Sequence, residues 1–312
     1  MMLDTDIKYN NVLLNFERLV CEKMKYYIKL LRPKHWIKNS LVFAPAVFSG
    51  NLTNIDYFLT TCIAFAMFSL VASSVYIIND LRDVESDRKH EVKCHRPIAS
   101  GKVSENEAKC ILVLLAAIVV SMHFILKAQI ISVVILLIYF ISNVLYSIKL
   151  KKLPVIDIAI LTLGFLLRVY YGASLIHVEV SNWLYLTVMA LAFYLGLGKR
   201  RNELLKAGDN AGEIRGVLKY YNHSFLDKNM YMLLSAAIVF YALWCIDPLT
   251  TAVMGSNLLI WTVFLVVCIL MKYSLDIETG SYADPVDVVL GDKWLICLVL
   301  LYGVILLALL YF

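Results

Sequence analysis

Long apolar stretches alternate with short polar segments along the 312 residues of this chain. A stretch of about 20 apolar residues is long enough to cross a hydrocarbon core of about 30 Å as a helix. The pattern therefore predicts an all-α membrane protein with nine transmembrane helices. The predicted spans are 37–50, 57–80, 106–127, 129–147, 154–177, 183–198, 229–247, 252–271 and 293–312.

The N-terminal part of the chain gives the weakest prediction. The first span is short, and Pro45 interrupts it, so a count of eight spans is the alternative to nine. Within residues 1–31, apolar side chains at near-helical spacing, from Leu13 to Leu31, predict an interfacial helix. No Gly/Ser linker, low-complexity tract or short-period repeat divides the sequence, so we expect one transmembrane domain over 1–312.

The distribution of charge sets the expected orientation. The chain is 61% hydrophobic and 17% charged, and 26 of its 29 Lys and Arg lie in segments that nine spans place on one side. The positive-inside rule puts these segments and the N-terminus in the cytoplasm, and the C-terminus outside. It explains the net charge of +5 without nucleic acid as a partner. We expect a multi-pass protein of the plasma (inner) membrane.

The densest polar sequence follows the second span and contains Asn79, Asp80, Asp83 and Asp87. If the helix continues, these residues share one face, because Asn79, Asp83 and Asp87 recur every four positions and Asp80 lies three and seven positions before Asp83 and Asp87. Mg²⁺ would relieve the repulsion between the acids, and it favours carboxylates together with substrate phosphate oxygens. We predict Asp80, Asp83 and Asp87 as Mg²⁺ ligands and Asn79 as a catalytic partner. The alternative is a solvated loop of acid–base pairs.

Basic and polar residues on the same predicted membrane face could bind phosphate groups. The candidates are Lys34, Lys38, Asn39, Lys93, Arg96, Tyr146, Lys151, Asp157, Arg168, Lys199 and Arg200. The alternative for the cations is that they only fix the orientation of the chain in the membrane. The alternative for Tyr146 is a place in the aromatic belt at the membrane interface. Asp157 and Arg168 lie inside one span, where ionisable groups are functional candidates, with a structural Asp–Arg link between helices as the alternative.

Several other types of site are disfavoured. The six histidines show no HExxH spacing, and neither a GxSxG elbow nor a GxxxxGK[ST] loop occurs, which argues against hydrolases and ATPases. Seven cysteines without a CxxC pair predict neither a disulfide framework nor a zinc site. The N-terminal residues predict no cleaved signal peptide. For Asp284, Asp287 and Asp292, we favour a solvated acidic loop over a site.

The sequence resembles the UbiA-type superfamily of intramembrane prenyltransferases. The resemblance rests on the nine predicted helices and on Asn79-Asp80-x-x-Asp83-x-x-x-Asp87 after the second span. It implies a helical bundle in which this motif binds Mg²⁺-diphosphate. Most members carry a second aspartate motif, usually DxxxD, after the sixth span. Here that place holds the basic Gly198-Lys199-Arg200-Arg201-Asn202-Glu203-Leu204, followed only by Asp209-x-x-x-Glu213.

The basic sequence and five further motifs resemble the decaprenyl-phosphate phosphoribosyltransferase branch. These motifs are Arg32-Pro33-Lys34-x-Trp36-x-Lys38-Asn39, Arg96-Pro97-Ile98-Ala99-x-Gly101, Tyr146-Ser147-x-x-Leu150-Lys151, Gly164-Phe165-x-Leu167-Arg168 and Asp284-Pro285-Val286-Asp287-x-x-Leu290-x-Asp292. The resemblance implies transfer of 5-phosphoribose from 5-phosphoribosyl 1-diphosphate to a polyprenyl phosphate. The product would lead to a lipid-linked arabinofuranose donor for cell-envelope polysaccharide.

Two other functions compete with this interpretation. A prenyltransferase for an aromatic or quinone-precursor acceptor shares the first motif but should also carry the second. A transporter should carry its acids near the bilayer midplane on broken helices, whereas here nearly all of them lie at a predicted cytoplasmic rim. The basic residues favour a lipid phosphate as acceptor, because an anion would use Lys and Arg near the interface. The sequence does not specify the chain length of the acceptor lipid or the oligomeric state, and it is compatible with a homo-oligomer.

Overall fold

A computed structural model describes residues 22–207, 215–254, 257–279 and 285–311, which contain helices and no strand. Part of the predicted interfacial helix, residues 1–21, lies outside the described residues, as do Asp209, Glu213 and Asp284. The α-helices are α1 (22–31), α2 (Ala44–Phe48), α3 (Ile55–Arg82), α4 (Val84–Arg88), α5 (Glu105–Ile125), α6 (Ile130–Ile148), α7 (Ile156–Ile176), α8 (Asn182–Ala207), α9 (His223–Ile246), α10 (Pro248–Met254), α11 (Thr262–Thr279), α12 (Pro285–Gly291) and α13 (Lys293–Tyr311). Short 3₁₀ helices at Pro33–Phe43, Lys93–His95, Leu150–Lys152, Leu218–Tyr220 and Leu258–Trp261 connect them.

Seven helices of the described chain are long and apolar enough to cross a membrane, which supports the predicted all-α, multi-pass architecture. They are α3, α5, α6, α7, α9, Leu258–Thr279 and α13.

The predicted count of nine spans is not confirmed. The first predicted span, 37–50, lies in the 3₁₀ helix Pro33–Phe43 and in the five-residue α2, where Pro45 stands in the first turn. Proline lacks the N–H that a continuous α-helix needs. The sixth, 183–198, lies within the 26-residue α8, which is long enough but contains more charged residues than the other spans.

The described residues fall into two compact units. The first unit, 1–40 and 66–128, has a core of apolar side chains from α1, α3, α4, α5 and the loop before α5. Its buried members are Leu30, Ile77, Val84, Ile98, Val103, Ala108 and Leu115. This core holds α4 and the loop at 96–103 against the C-terminal end of α3, where the aspartates begin.

The second unit, 41–65 and 129–312, is organised around α7 and α8. Helix α8 packs against α7 and α9, and α7 also packs against α6 and α2. Gly172 of α7 lies against the backbone of Val42, since a Cβ built at Gly172 would be 2.0 Å from the Val42 carbonyl oxygen. Glycine therefore lets α7 approach the 3₁₀ helix closely.

Candidate functional site

The aspartate cluster consists of Asn79, Asp80, Asp83 and Asp87 at the end of α3. Helix α3 ends at Arg82, but the helical bonds continue past it. The N–H of Asp83 donates to the Asn79 carbonyl over 2.9 Å, and that of Asp87 to the Asp83 carbonyl over 2.8 Å. The four-residue period that the sequence suggested is therefore preserved through the break between α3 and α4.

Two of these carboxylates are buried and paired with arginines. Asp80 is 2% exposed and Asp87 3% exposed. Arg96 Nη1 lies 3.1 Å from Asp80 Oδ1 and 2.6 Å from Asp87 Oδ2, and Arg32 Nη2 lies 2.5 Å from Asp80 Oδ1. Asp83 is 35% exposed and pairs with its neighbour Arg82 at 2.9 Å. Buried carboxylates need such positive partners, because an isolated buried charge is costly.

The segment that carries Arg32 lies along one face of α3. Asn39 Nδ2 donates to Ser69 Oγ over 3.0 Å, Trp36 Nε1 donates to Ser73 Oγ over 3.1 Å, and the Arg32 guanidinium stacks on the Tyr76 ring at 4.8 Å. Positions 69, 73, 76 and 80 share a helix face. These contacts bring Arg32 to Asp80.

The backbone of Arg32 is itself unusual. Its φ is +54°, a conformation that L-residues with a side chain rarely adopt. The following Pro33 also disfavours the α region for Arg32. Such conformations persist only where the surrounding contacts enforce them, and they cluster at functional sites.

A tight loop after α4 positions Arg96. Arg96 precedes Pro97 and is extended (ψ 145°), and its carbonyl accepts from the N–H of Ser100 over 2.9 Å. Gly101 has φ +73°, which favours glycine, and the N–H of Val103 donates to the Pro97 carbonyl. The loop returns the chain to α5 and leaves the guanidinium of Arg96 at the two buried aspartates.

The oxygens of the cluster fit a hard divalent cation. Asn79 Oδ1 is buried and accepts no hydrogen bond from the described residues. An unsatisfied buried acceptor is costly, and a cation beside the aspartates would satisfy it. No three His, Cys, Asp or Glu side chains of the described ranges are already arranged around a common metal position. Asp80 pairs with Arg32 and Arg96, and Asp87 pairs with Arg96.

A second group of polar residues, the Tyr146 cluster, joins the ends of α6, α7 and α8 in the second unit. Its members are Tyr146, Asp157, Arg200, Glu203, Arg215 and Tyr221. Asp157 and Arg200 are fully buried, and Arg200 Nε lies 2.6 Å from Asp157 Oδ2. A structural Asp–Arg link between helices, the alternative for Asp157, is therefore present, but its cation is Arg200 of α8 rather than Arg168.

Tyr221 completes the surroundings of Asp157. Its hydroxyl donates to Asp157 Oδ1 over 2.6 Å and accepts from the N–H of Val155 over 2.6 Å. Burial and the hydrogen bond to Asp157 raise the pKa of Tyr221 above its ordinary value. The N–H of Val155 therefore has a fixed partner, although Val155 has φ +68°, an outlier for a β-branched residue.

The other members of the cluster surround the Tyr146 hydroxyl. It accepts from Arg200 Nη2 over 3.3 Å and from Arg215 Nη2 over 2.5 Å. Glu203 lies between the two arginines, with Oε2 2.7 Å from Arg200 Nη1 and Oε1 3.5 Å from Arg215 Nη1. The positive charges of Arg200 and Arg215 are therefore balanced by the negative charges of Asp157 and Glu203.

Arg168 makes a separate set of contacts within the second unit. Its Nη1 donates to the Gly164 carbonyl over 2.5 Å and its Nη2 to the Tyr139 hydroxyl over 3.2 Å. Its guanidinium also stacks on Tyr139 at 5.1 Å and on Phe165 at 5.5 Å. These contacts stabilise a buried cation inside α7.

With this geometry established, a family model identifies the chain. The model of the UbiA prenyltransferase family matches residues 40–284. The chain belongs to the UbiA prenyltransferase family.

Relatives of this UbiA chain include two decaprenyl-phosphate phosphoribosyltransferases. The one from Corynebacterium glutamicum is 31% identical over 88% of this chain and 85% of its own. The one from Mycolicibacterium smegmatis is 32% identical over 85% of this chain and 86% of its own. A digeranylgeranylglyceryl phosphate synthase from Saccharolobus solfataricus is 28% identical over 56% of this chain and 60% of its own. The chain is thus an enzyme of the transferase class.

The fold agrees with solved UbiA structures. A UbiA homolog from Archaeoglobus fulgidus bound to GPP and Mg²⁺ superposes with a TM-score of 0.62 at 19% identity, covering 91% of this chain and 99% of that chain. A structure described as concerning digeranylgeranylglyceryl phosphate synthase in membranes gives a TM-score of 0.62 at 20% identity, covering 92% and 99% of the two chains.

The remaining candidate residues of this UbiA protein differ in exposure. Lys34 and Lys93 are exposed, Lys38, Lys151 and Lys199 are half-buried, and Asn39 is buried. In the last acidic loop, Asp292 pairs with Lys272 at 2.8 Å and accepts from the N–H of Leu295. The bond from Lys272 and the helix N–H hold the pKa of Asp292 below its ordinary value. Asp292 therefore caps α13.

The sequence pattern indicated no role for four residues that belong to the Tyr146 cluster or contact the aspartate cluster: Arg32, Glu203, Arg215 and Tyr221. The Arg-Pro dipeptide at 32 and 33 was a signal for an unusual backbone. Arg215 and Tyr221 lie 69 and 64 positions from their partners Tyr146 and Asp157, so no local spacing could have indicated them.

Proposed function

We propose that this UbiA-family enzyme transfers 5-phosphoribose from 5-phosphoribosyl 1-diphosphate to a decaprenyl-like polyprenyl phosphate. The observation that carries the proposal is the basic end of α8, at the position where the superfamily resemblance leads us to expect a second aspartate motif. About 30% identity to decaprenyl-phosphate phosphoribosyltransferases, over most of both chains, supports it. In the reaction, the bond between ribose C1 and the diphosphate oxygen breaks, and diphosphate leaves with the electron pair. An oxygen of the lipid phosphate forms the new bond to C1.

The aspartate cluster would bind the diphosphate of the donor. Asp80, Asp83 and Asp87, with the unsatisfied Asn79 Oδ1, would hold Mg²⁺, which supplies electrostatic stabilisation of the leaving diphosphate. Arg96 and Arg32 both contact Asp80. They would pair with the phosphate oxygens that Mg²⁺ does not reach. Lys93 adds a cation in the segment just before Arg96.

The acceptor requires cations but no general base. A lipid phosphate is already ionised at neutral pH, so its oxygen can attack the oxocarbenium-like ribose without losing a proton. Half-buried or exposed polar groups would bind the phosphate groups of the two substrates. They are Lys34, Lys38, Tyr146, Lys151 and Lys199, to which we add the buried Asn39. Arg200 and Asp157 would position Tyr146, because Arg200 donates hydrogen bonds to both Asp157 and Tyr146. Arg168 would stabilise α7 through its contacts with Gly164 and Tyr139.

The cellular setting is proposed from the predicted topology. We propose that the whole chain forms one catalytic domain with nine membrane crossings, including α8 and the segment at 37–50. The N-terminus and the polar residues of the site would lie on the cytoplasmic side of the plasma membrane, where a water-soluble donor is available. The product would supply a lipid-linked arabinofuranose precursor of cell-envelope polysaccharide.

The decisive experiment measures transfer of label from 5-phosphoribosyl 1-diphosphate to polyprenyl phosphate in membranes, with Mg²⁺ or with EDTA. We expect Mg²⁺-dependent labelled lipid from the parent and a loss of about 100-fold or more in Asp83→Asn. Glu85→Gln is the matched control, because Glu85 is 77% exposed and pairs only with Arg88 among the described residues. It should retain parental activity.

Two results would contradict the proposal. If the parent produces no labelled lipid but transfers a prenyl group from a prenyl diphosphate to an aromatic or quinone-precursor acceptor, the enzyme is a prenyltransferase of the usual type. If Asp83→Asn retains full activity, the metal-binding role assigned to the aspartates is wrong, even if the reaction is correct.

A further inference from the structure

Arg215 reaches the Tyr146 cluster from the loop between α8 and α9. Its Nη2 donates to the Tyr146 hydroxyl over 2.5 Å, and its Nη1 lies 3.5 Å from Glu203 Oε1. Its Nε is buried and has no hydrogen-bond partner among the described residues. A buried guanidinium nitrogen without an acceptor costs free energy, so this N–H is suited to an acceptor that arrives with a substrate.

The Tyr146 hydroxyl is a second donor at the same place. Its oxygen accepts from Arg200 and from Arg215, which uses both of its lone pairs. Its hydrogen is therefore left to donate, and the hydrogen bonds of Tyr146 that the described residues provide include no acceptor for it. Tyr146 and Arg215 together present two hydrogen-bond donors, which is the arrangement that an oxyanion binds.

Exposure separates the two arginines. Arg200 is fully buried, and its nitrogens contact Asp157, Glu203 and Tyr146. The side chain of Arg215 is 24% exposed, and its pairing with Glu203 at 3.5 Å is longer than that of Arg200 with Glu203 at 2.7 Å. Part of the Arg215 side chain is therefore exposed, although Nε itself is buried, and its longer ion pair with Glu203 is the easier of the two to exchange for another anion.

We propose that Arg215, with the Tyr146 hydroxyl, forms a subsite for a phosphate monoester. This inference rests on the proposed function, which offers two such groups: the 5-phosphate of the donor and the phosphate of the lipid acceptor. Both present the same terminal oxyanions to Arg215 Nε and Tyr146. Arg200 and Glu203 are positioning residues, since they hold the phenol and Arg215 in place.

The first arm of the test measures binding of inorganic phosphate by thermal unfolding of the purified full-length protein in detergent with EDTA. We compare the parent, Arg215→Gln, Arg215→Lys and the control Lys219→Gln. Lys219 carries the same charge in the same loop but contacts the Tyr220 ring at 4.9 Å. We expect the phosphate concentration for half-maximal stabilisation to rise at least 10-fold in Arg215→Gln, less in Arg215→Lys, and not in Lys219→Gln.

The second arm measures the kinetics of phosphoribosyl transfer for each substrate. Arg215→Gln should raise KM about 10- to 100-fold for the substrate whose phosphate binds here, with a much smaller change in kcat. A change in KM for 5-phosphoribosyl 1-diphosphate assigns the subsite to the donor, and a change in KM for polyprenyl phosphate assigns it to the acceptor. A purely structural role would lower the unfolding temperature without this selective change in KM.

The outcomes separate this inference from the proposed function. Unchanged phosphate binding in Arg215→Gln relative to Lys219→Gln overturns the subsite, even if transfer occurs. Loss of phosphate binding in an enzyme that transfers no phosphoribose leaves the subsite standing and refutes the proposed reaction. If Arg215→Gln does not fold, Arg215→Lys decides. Arg215→Lys keeps the positive charge but lacks the planar guanidinium group. If its affinity for inorganic phosphate equals that of the parent, the proposal is overturned.

Discussion

Arg200 Nε lies 2.6 Å from Asp157 Oδ2, and both side chains are fully buried. Two charges shielded from solvent in this way depend on each other. Removing one of them leaves the other without its compensating charge, whereas removing both leaves no buried charge.

We therefore expect Asp157→Leu or Arg200→Met alone to lower the free energy of unfolding by about 3–5 kcal/mol. The double variant should be more stable than either single variant. Thermal unfolding of the purified protein in detergent measures this. The exposed pair of Glu85 and Arg88 is the control, for which Glu85→Gln should cost less than about 1 kcal/mol. Additive effects at 157 and 200 would show that the two residues are not coupled.

Asn79 offers a test of metal binding that is independent of the acids. Because its Oδ1 is buried without a hydrogen-bond partner among the described residues, Asn79→Leu removes no hydrogen bond through that atom. Stability in EDTA should stay the same or rise. The Mg²⁺ concentration for half-maximal transfer should rise about 10- to 100-fold. A parental Mg²⁺ titration in Asn79→Leu would exclude this oxygen from the metal site.

The contact between Gly172 and Val42 predicts a strong steric effect. The Cβ of Gly172→Ala would lie 2.0 Å from the Val42 carbonyl oxygen, so the backbone must shift. We expect a loss of about 1–3 kcal/mol of stability and a lower yield of folded protein. Gly303→Ala in α13 is the matched control, because nothing lies within 4 Å of its new Cβ. Equal unfolding temperatures for the two variants would contradict the close packing of α7.

Tyr221 predicts a pH dependence of stability. Burial and its hydrogen bond to Asp157 raise the pKa of this phenol in the folded protein above the unfolded value of about 10. The folded state therefore retains the proton more strongly, and the contribution of Tyr221 to stability is complete below pH 10 and is lost as pH rises further.

Tyr221→Phe allows this contribution to be measured. The parent should unfold at a higher temperature than Tyr221→Phe, because Asp157 and the Val155 N–H lose a partner in the variant. The difference should be constant between pH 6 and about 9 and should shrink above about pH 10. A difference that grows with pH would reverse the assigned direction of the pKa shift.

Much of the architecture could be predicted from apolar periodicity. The predicted span 106–127 corresponds to α5, and 129–147 corresponds to α6, each within two residues. A helix satisfies its backbone hydrogen bonds within four residues, and lipid requires apolar side chains around it, so both properties are local to the sequence. The shared face of Asn79, Asp83 and Asp87 was predictable for the same reason.

Local pattern was a poor guide where polar residues or proline interrupt a span. The segment at 37–50 contains a 3₁₀ helix and a short α-helix, and α8 continues past its predicted end at 198 to Ala207. Nothing in the span itself indicated that Arg200 would be buried. An arginine that only sets membrane orientation would be exposed at the end of the helix.

The sequence by itself determined the helical class of this protein, the order of its spans and the face that carries the aspartates. Only the tertiary structure decided which polar side chains pair: Arg32 with Asp80, Arg200 with Asp157 and Arg215 with Tyr146. These partners lie 48, 43 and 69 positions apart. A buried charge is stabilised by whichever opposite charge or hydrogen-bond partner the packing of helices brings beside it, and that packing depends on residues distributed over the whole chain.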